Sequence, residues 1–87
     1  MSLAKSRSAD TNALIRPLRS LCGLTQEQFA AKLGVTLVTV NRWENYRAKP
    51  MPLASRQLKA LLIEISHSEI EADQVIAYRL LEQYFPN

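Results

Sequence analysis

Residues 25–45 read TQEQFAAKLGVTLVTVNRWEN, and the fold is decided here. Thr25 and Gln28 have the spacing of a capping box, a hydroxyl at the N-cap and an amide three residues on, so a helix is expected over Gln26–Leu33. Phe29, Ala30 and Leu33 are its inward residues. Gly34 supplies the positive φ that a sharp turn demands. Thr36 then caps a second short helix running to about Asn45, with Val40 and Trp43 turned inward. Ala30, Gly34 and Val40 stand four and six residues apart: a small residue where the helices cross, a glycine in the turn, and a plug beyond it.

Upstream, Leu14, Leu18, Leu21 and Cys22 keep one face of a 3.6-residue period. Asp10, Thr11 and Asn12 are possible N-caps for that helix. Pro17 would clash with the carbonyl four residues back, which favours a regular start near Leu14 over a kink. Gly23 ends the helix with a left-handed residue. Downstream, Pro50 and Pro52 break the chain, and Pro52 suits the first turn of a further helix. Ala54, Leu58, Leu61, Leu62 and Ile65 then recur at helical spacing. Ser68-Glu-Ile-Glu71 has the form of a second capping box, opening a last helix through about Tyr84 with Ile76, Ala77, Leu80, Leu81 and Tyr84 on one face. Strand-like alternation appears only from Val35 to Val40, where Thr36 and the flanking glycine argue for a turn and helix, so the expected fold is all-α, a five-helix bundle. Its boundaries are a flexible tail at 1–12, a body at 13–65 containing the helix-turn-helix, and an amphipathic helix at 66–87.

Composition narrows the function. The chain has 87 residues, 47% of them hydrophobic and 22% charged, as in an ordinary globular domain. A lone Cys22 and a lone His67 give neither a disulfide nor a metal set, and no cofactor is expected. The longest apolar run, residues 58–65, is broken by Lys59 and Glu64 and is far short of a membrane span. Residues 1–10 lack the apolar centre of a signal peptide. The expectation is a cytoplasmic protein with no membrane contact. Charge is lopsided: ten of the eleven Lys and Arg, against three of the eight acids, lie in residues 1–60, giving +7, whereas residues 61–87 carry −4. A basic body facing a polyanion, with an acidic piece held away from it, fits that split.

The run Leu18 to Thr36, followed by Thr39-Val-Asn-Arg-Trp-Glu-Asn45 and Lys49-Pro50, resembles the phage-repressor and Cro type of helix-turn-helix, the XRE family. The resemblance covers roughly residues 13–65 and implies a lambda-repressor-like bundle. It also implies that double-stranded DNA is read by a helix in the major groove, generally by two-fold homodimers on inverted half-sites. Carried over by position, Thr36, Leu37, Val38, Asn41 and Arg42 stand where side chains meet bases. Arg42 has the strongest chemistry, because a guanidinium bonds both O6 and N7 of guanine. Leu37 and Val38 depart from the polar residues often found there; they would press on thymine methyls, or else pack on another helix or a partner. Thr25 and Gln26, at a helix N-terminus, stand where a phosphate is held. Asn45, Arg47 and Lys49 are placed to meet the same strand's backbone. The resemblance also makes Arg19 and Glu44 an ion pair tying the first helix to the third.

A further departure is Tyr46, which occupies a place where glycine is common: either its φ is positive or the loop takes another path. Lys5 and Arg7 are candidates for a basic arm. The last helix either caps the domain's own core or offers a dimer or partner surface. His67 and Cys22 support no catalytic mechanism, and no enzyme is expected. Two functions remain: a transcriptional regulator, most often a repressor, or an antitoxin-like module that binds its operator and docks a toxin through the last helix.

Overall fold

The computed structural model describes residues 10–86. Five helices follow in order: α1 (Asn12–Cys22), α2 (Gln26–Leu33), α3 (Leu37–Glu44), α4 (Pro52–Ile65) and α5 (Glu71–Tyr84), with no strand among the described residues. Lys5 and Arg7 of the expected basic arm lie outside the described residues. The core draws on all five helices: Leu14, Ile15 and Leu18, then Phe29, Ala30 and Leu33, then Val40 and Trp43, then Leu58, Leu61 and Leu62, and finally Ala77, Leu80 and Tyr84. α2 packs on α3, α1 crosses α3, and α5 lies along α4 and touches α1.

Both capping residues of the central pair act as the sequence requires. The Thr25 hydroxyl accepts the Gln28 N–H at 3.1 Å while the Gln28 side chain accepts the Thr25 N–H at 3.0 Å. The Thr36 hydroxyl accepts the Thr39 N–H at 3.1 Å. Pro52 opens α4, where its missing N–H has no partner to lose.

Three expectations are corrected. α1 begins at Asn12, not near Leu14, and Pro17 sits inside it, exposed. The reason is tertiary. The buried Asn12 side chain donates to the carbonyls of Trp43 (3.0 Å) and Ala48 (2.6 Å), and its N–H donates to the Asp10 carboxylate at 3.0 Å. Asn12 therefore belongs to the body and not to a tail ending at residue 12. Second, Ser68 does not cap α5. Its hydroxyl accepts the Ile70 N–H at 3.0 Å, closing a local turn that delays the helix to Glu71. Third, Ile76 is 41% exposed, whereas Ala77, Leu80 and Tyr84 of the same helix are buried. α5 thus caps the core with one face and leaves Val75, Ile76 and Tyr78 outside.

Helices α1, α2 and α3 end in the same way. The N–H of Gly23 bonds Ser20 O and that of Leu24 bonds Arg19 O; Gly34 and Val35 bond Ala31 O and Ala30 O; Tyr46 and Arg47 bond Trp43 O and Arg42 O. These are three Schellman closures, each turning on a left-handed residue. Gly23 and Gly34 have φ of 70° and 75°, and Tyr46 has 58°. The first of the two sequence alternatives for Tyr46 is the one realised, at a strain of roughly 1–2 kcal/mol for a residue bearing a β-carbon.

Candidate nucleic-acid interface

α3 has a face held by the fold and a face that is not. Val40 and Trp43 fill the core, and the Glu44 side chain is wholly buried. That carboxylate meets Arg19 Nε at 2.7 Å and Arg19 Nη2 at 3.2 Å, Gln26 Nε2 at 2.9 Å and Arg16 Nε at 3.1 Å. Burial disfavours its charge, but the hydrogen bonds from Arg19, Gln26 and Arg16 outweigh that and hold it below the usual carboxylate range. Arg19 also donates to Leu24 O, so a single guanidinium joins α1, the turn before α2 and the end of α3.

On the other face Leu37 and Val38 are 45% and 65% exposed, and Asn41 and Arg42 are exposed beside them. Thr36 is exposed at the N-terminus of α3, with its hydroxyl 2.9 Å from that of Thr39. Asn41, Arg42, Asn45 and Arg47 line a common open hollow. Lys49 is not part of it. It lines an apolar groove with Leu33, Val35, Trp43, Met51 and Leu53. The phosphate residues expected after α3 therefore divide between two surfaces.

Gln26 connects the two faces. Its amide bonds Glu44 on the inside, and its oxygen accepts from Asn41 Nδ2 at 3.5 Å on the outside. Asn41 in turn accepts two bonds from the Asn45 amide, at its backbone oxygen (2.9 Å) and its side-chain oxygen (3.2 Å). A chain of amides thus runs from the buried carboxylate through Gln26 and Asn41 to Asn45 on the outer surface of α3. The capping box consumes the Thr25 and Gln28 N–H groups, which leaves those of Gln26 and Glu27 to face outward at the start of α2. With Glu44 buried against arginine, Arg42 is the one charge on the exposed face of α3.

Asn12 is the positioning residue that sequence reasoning missed. It holds the end of α3 and the following loop through carbonyls 31 and 36 residues away, and no local pattern signals such a bond. Burial pushes the Cys22 thiol up, away from nucleophilic use. No group of three metal-ligating side chains occurs among the described residues, and no helix there is long and apolar enough to cross a membrane.

A model of the helix-turn-helix family matches residues 15–69, from within α1 to the turn before α5. No curated protein and no solved structure matches the chain. Capped α2, the Gly34 turn, capped α3 and the family match over more than half the length agree, and the chain belongs to the XRE-type helix-turn-helix family of DNA-binding regulatory domains.

Proposed function

We propose that the protein binds duplex DNA sequence-specifically as a homodimer and regulates transcription in the cytoplasm, most simply by occluding a promoter. The observation that carries this is the outward face of α3, where Leu37, Val38, Asn41 and Arg42 stand exposed beside Arg47. Laid in the major groove, α3 brings Arg42 to a guanine, Asn41 to a base edge, and Leu37 and Val38 to thymine methyls, with Thr36 at the entry. Thr25 and Gln26 hold a phosphate at the start of α2. Asn45 and Arg47 hold one beyond α3, and Lys49 reaches the backbone from the neighbouring surface. The Arg19–Glu44 pair acts through structure alone, by fixing the angle between α1 and α3.

Selection of bound duplexes from a random pool tests the reading. It should return inverted half-sites about one helical turn apart, bound with a log–log salt slope of roughly −3 to −4 per subunit. A pool that stays random after several rounds would contradict it.

A second reading is favoured by one specific observation: Ile70 at 60%, Val75 at 45%, Ile76 at 41% and Tyr78 at 56% exposure are apolar residues on or beside α5 that the core does not use. An antitoxin that docks a toxin there would bind its operator as well. It predicts a stoichiometric complex with a partner protein, lost on Tyr78→Glu while DNA affinity is kept.

A further inference from the structure

A groove of about 500 Å³ opens beside α3, apart from the hollow on its outer face. Leu33 and Val35 at the turn after α2, Trp43 from α3, and Met51, Leu53 and Ala54 at the start of α4 make its lining apolar. Met51 and Leu53 are 72% and 65% exposed, so the core does not account for them. The polar neighbours are mostly spent on the fold: the Gln57 amide donates to Leu33 O at 3.2 Å, and the Thr39 hydroxyl lies 2.9 Å from that of Thr36. Lys49 is the exception. It is exposed, it is the one charged side chain lining the groove among the described residues, and neither ion pair of Glu44 involves it.

An apolar recess of this size with a single cation has the composition of a small-molecule site. The charge chooses among occupants. A second copy packed across a two-fold axis would bring two Lys49 side chains to one contact, with no acid lining either groove. A DNA phosphate satisfies the ammonium but leaves Met51 and Leu53 uncovered. A molecule with an anionic head and a hydrocarbon body answers both. We infer that the groove binds an amphipathic carboxylate of fatty-acid type, its head on the Lys49 ammonium and its chain against Leu33, Val35, Met51 and Leu53. Because the proposed function sets Lys49 on the DNA backbone, the bound acid acts as an effector: it withdraws one phosphate contact and weakens the complex. That consequence rests on the DNA-binding reading, whereas the site itself does not.

Trp43 is the only tryptophan of the chain, so its fluorescence reports on the groove directly. The full chain is titrated with octanoate, hexanoate and octanol, each below the concentration at which it aggregates. Octanoate should give a saturable change in Trp43 emission and bind about ten-fold more tightly than hexanoate, as two buried methylenes require. Lys49→Met should weaken octanoate about ten-fold and leave octanol unchanged. Ala54→Leu, which fills the groove, should abolish both while thermal melts show the fold kept. Octanoate should also lower the affinity for one selected duplex and reduce its salt slope by about one, in the parent but not in Lys49→Met. A Trp43 signal that never saturates, or octanol binding the parent as tightly as octanoate, overturns the inference. So does a parent dimer that Met51→Glu turns into a monomer, because a second copy then covers the groove. Failure of the parent to bind any duplex removes the DNA-binding reading and with it the effector role, while saturable binding of octanoate upholds the site.

Discussion

The two faces of α3 are built on opposite terms. Inward, every side chain has its place: Val40 and Trp43 are in the core, and four hydrogen bonds converge on the Glu44 carboxylate. Outward, Leu37 and Val38 expose apolar surface that gains nothing for the folded chain, and Arg42 has no acid beside it on α3. The inner face explains why the helix is where it is, and the outer face calls for a partner. Packing governs one side and exposure the other, so substitutions on the two faces should separate stability from recognition.

The largest effect belongs to the inner face. Arg19→Ala takes two of the four hydrogen bonds from a buried carboxylate, leaving it Gln26 and the exposed Arg16, and should lower stability by about 3 kcal/mol in denaturant titrations. Equal unfolding midpoints for variant and parent would break the contrast at its root. Arg16, which meets the same carboxylate with a side chain 67% exposed, should contribute under about 1 kcal/mol.

Acid tests the same face without a cavity. Because the Glu44 carboxyl is held below its ordinary range, its stabilising contribution is complete above the unfolded-state value and lost as pH falls through the lower, folded one. Thermal melts of the parent should therefore drop on acidification, and Glu44→Gln should start lower and flatten that part of the profile. Parallel profiles would show that Glu44 carries no such linkage.

The outer face follows with smaller effects of another kind. Arg42→Ala should reduce discrimination at one base pair by about 1–3 kcal/mol and leave the melt near that of the parent. A uniform loss across sequences would make Arg42 a phosphate ligand. Least of all in stability, Leu37→Ala and Val38→Ala should shift unfolding by within about 0.5 kcal/mol. A larger loss would mean that these side chains pack on a partner subunit.

Legibility divides along similar lines. The helix pair and its turn were readable because caps and glycines are local: Thr25 with Gln28, Gly34, and Thr36 are each decided within four residues. The start of α1 was not, since Asn12 acts across 31 residues, and Ser68 had the spacing of a cap but spent its hydroxyl on Ile70. The contact of Arg19 with Glu44 was accessible only through family resemblance, and the Gln26–Asn41 bond, spanning two helices, was not accessible at all. Exposure on α3 was legible from periodicity, but the separation of Lys49 from Arg47 depends on the loop's path around a left-handed Tyr46, which the sequence left open between two alternatives.

The most direct measurement is a backbone amide titration of the full chain with a selected duplex. We expect shifts concentrated on Leu37–Arg42, the N-terminus of α2 and the loop through Lys49, with α5 unmoved. Shifts gathered on Val75, Ile76 and Tyr78 while α3 stays silent would contradict the account.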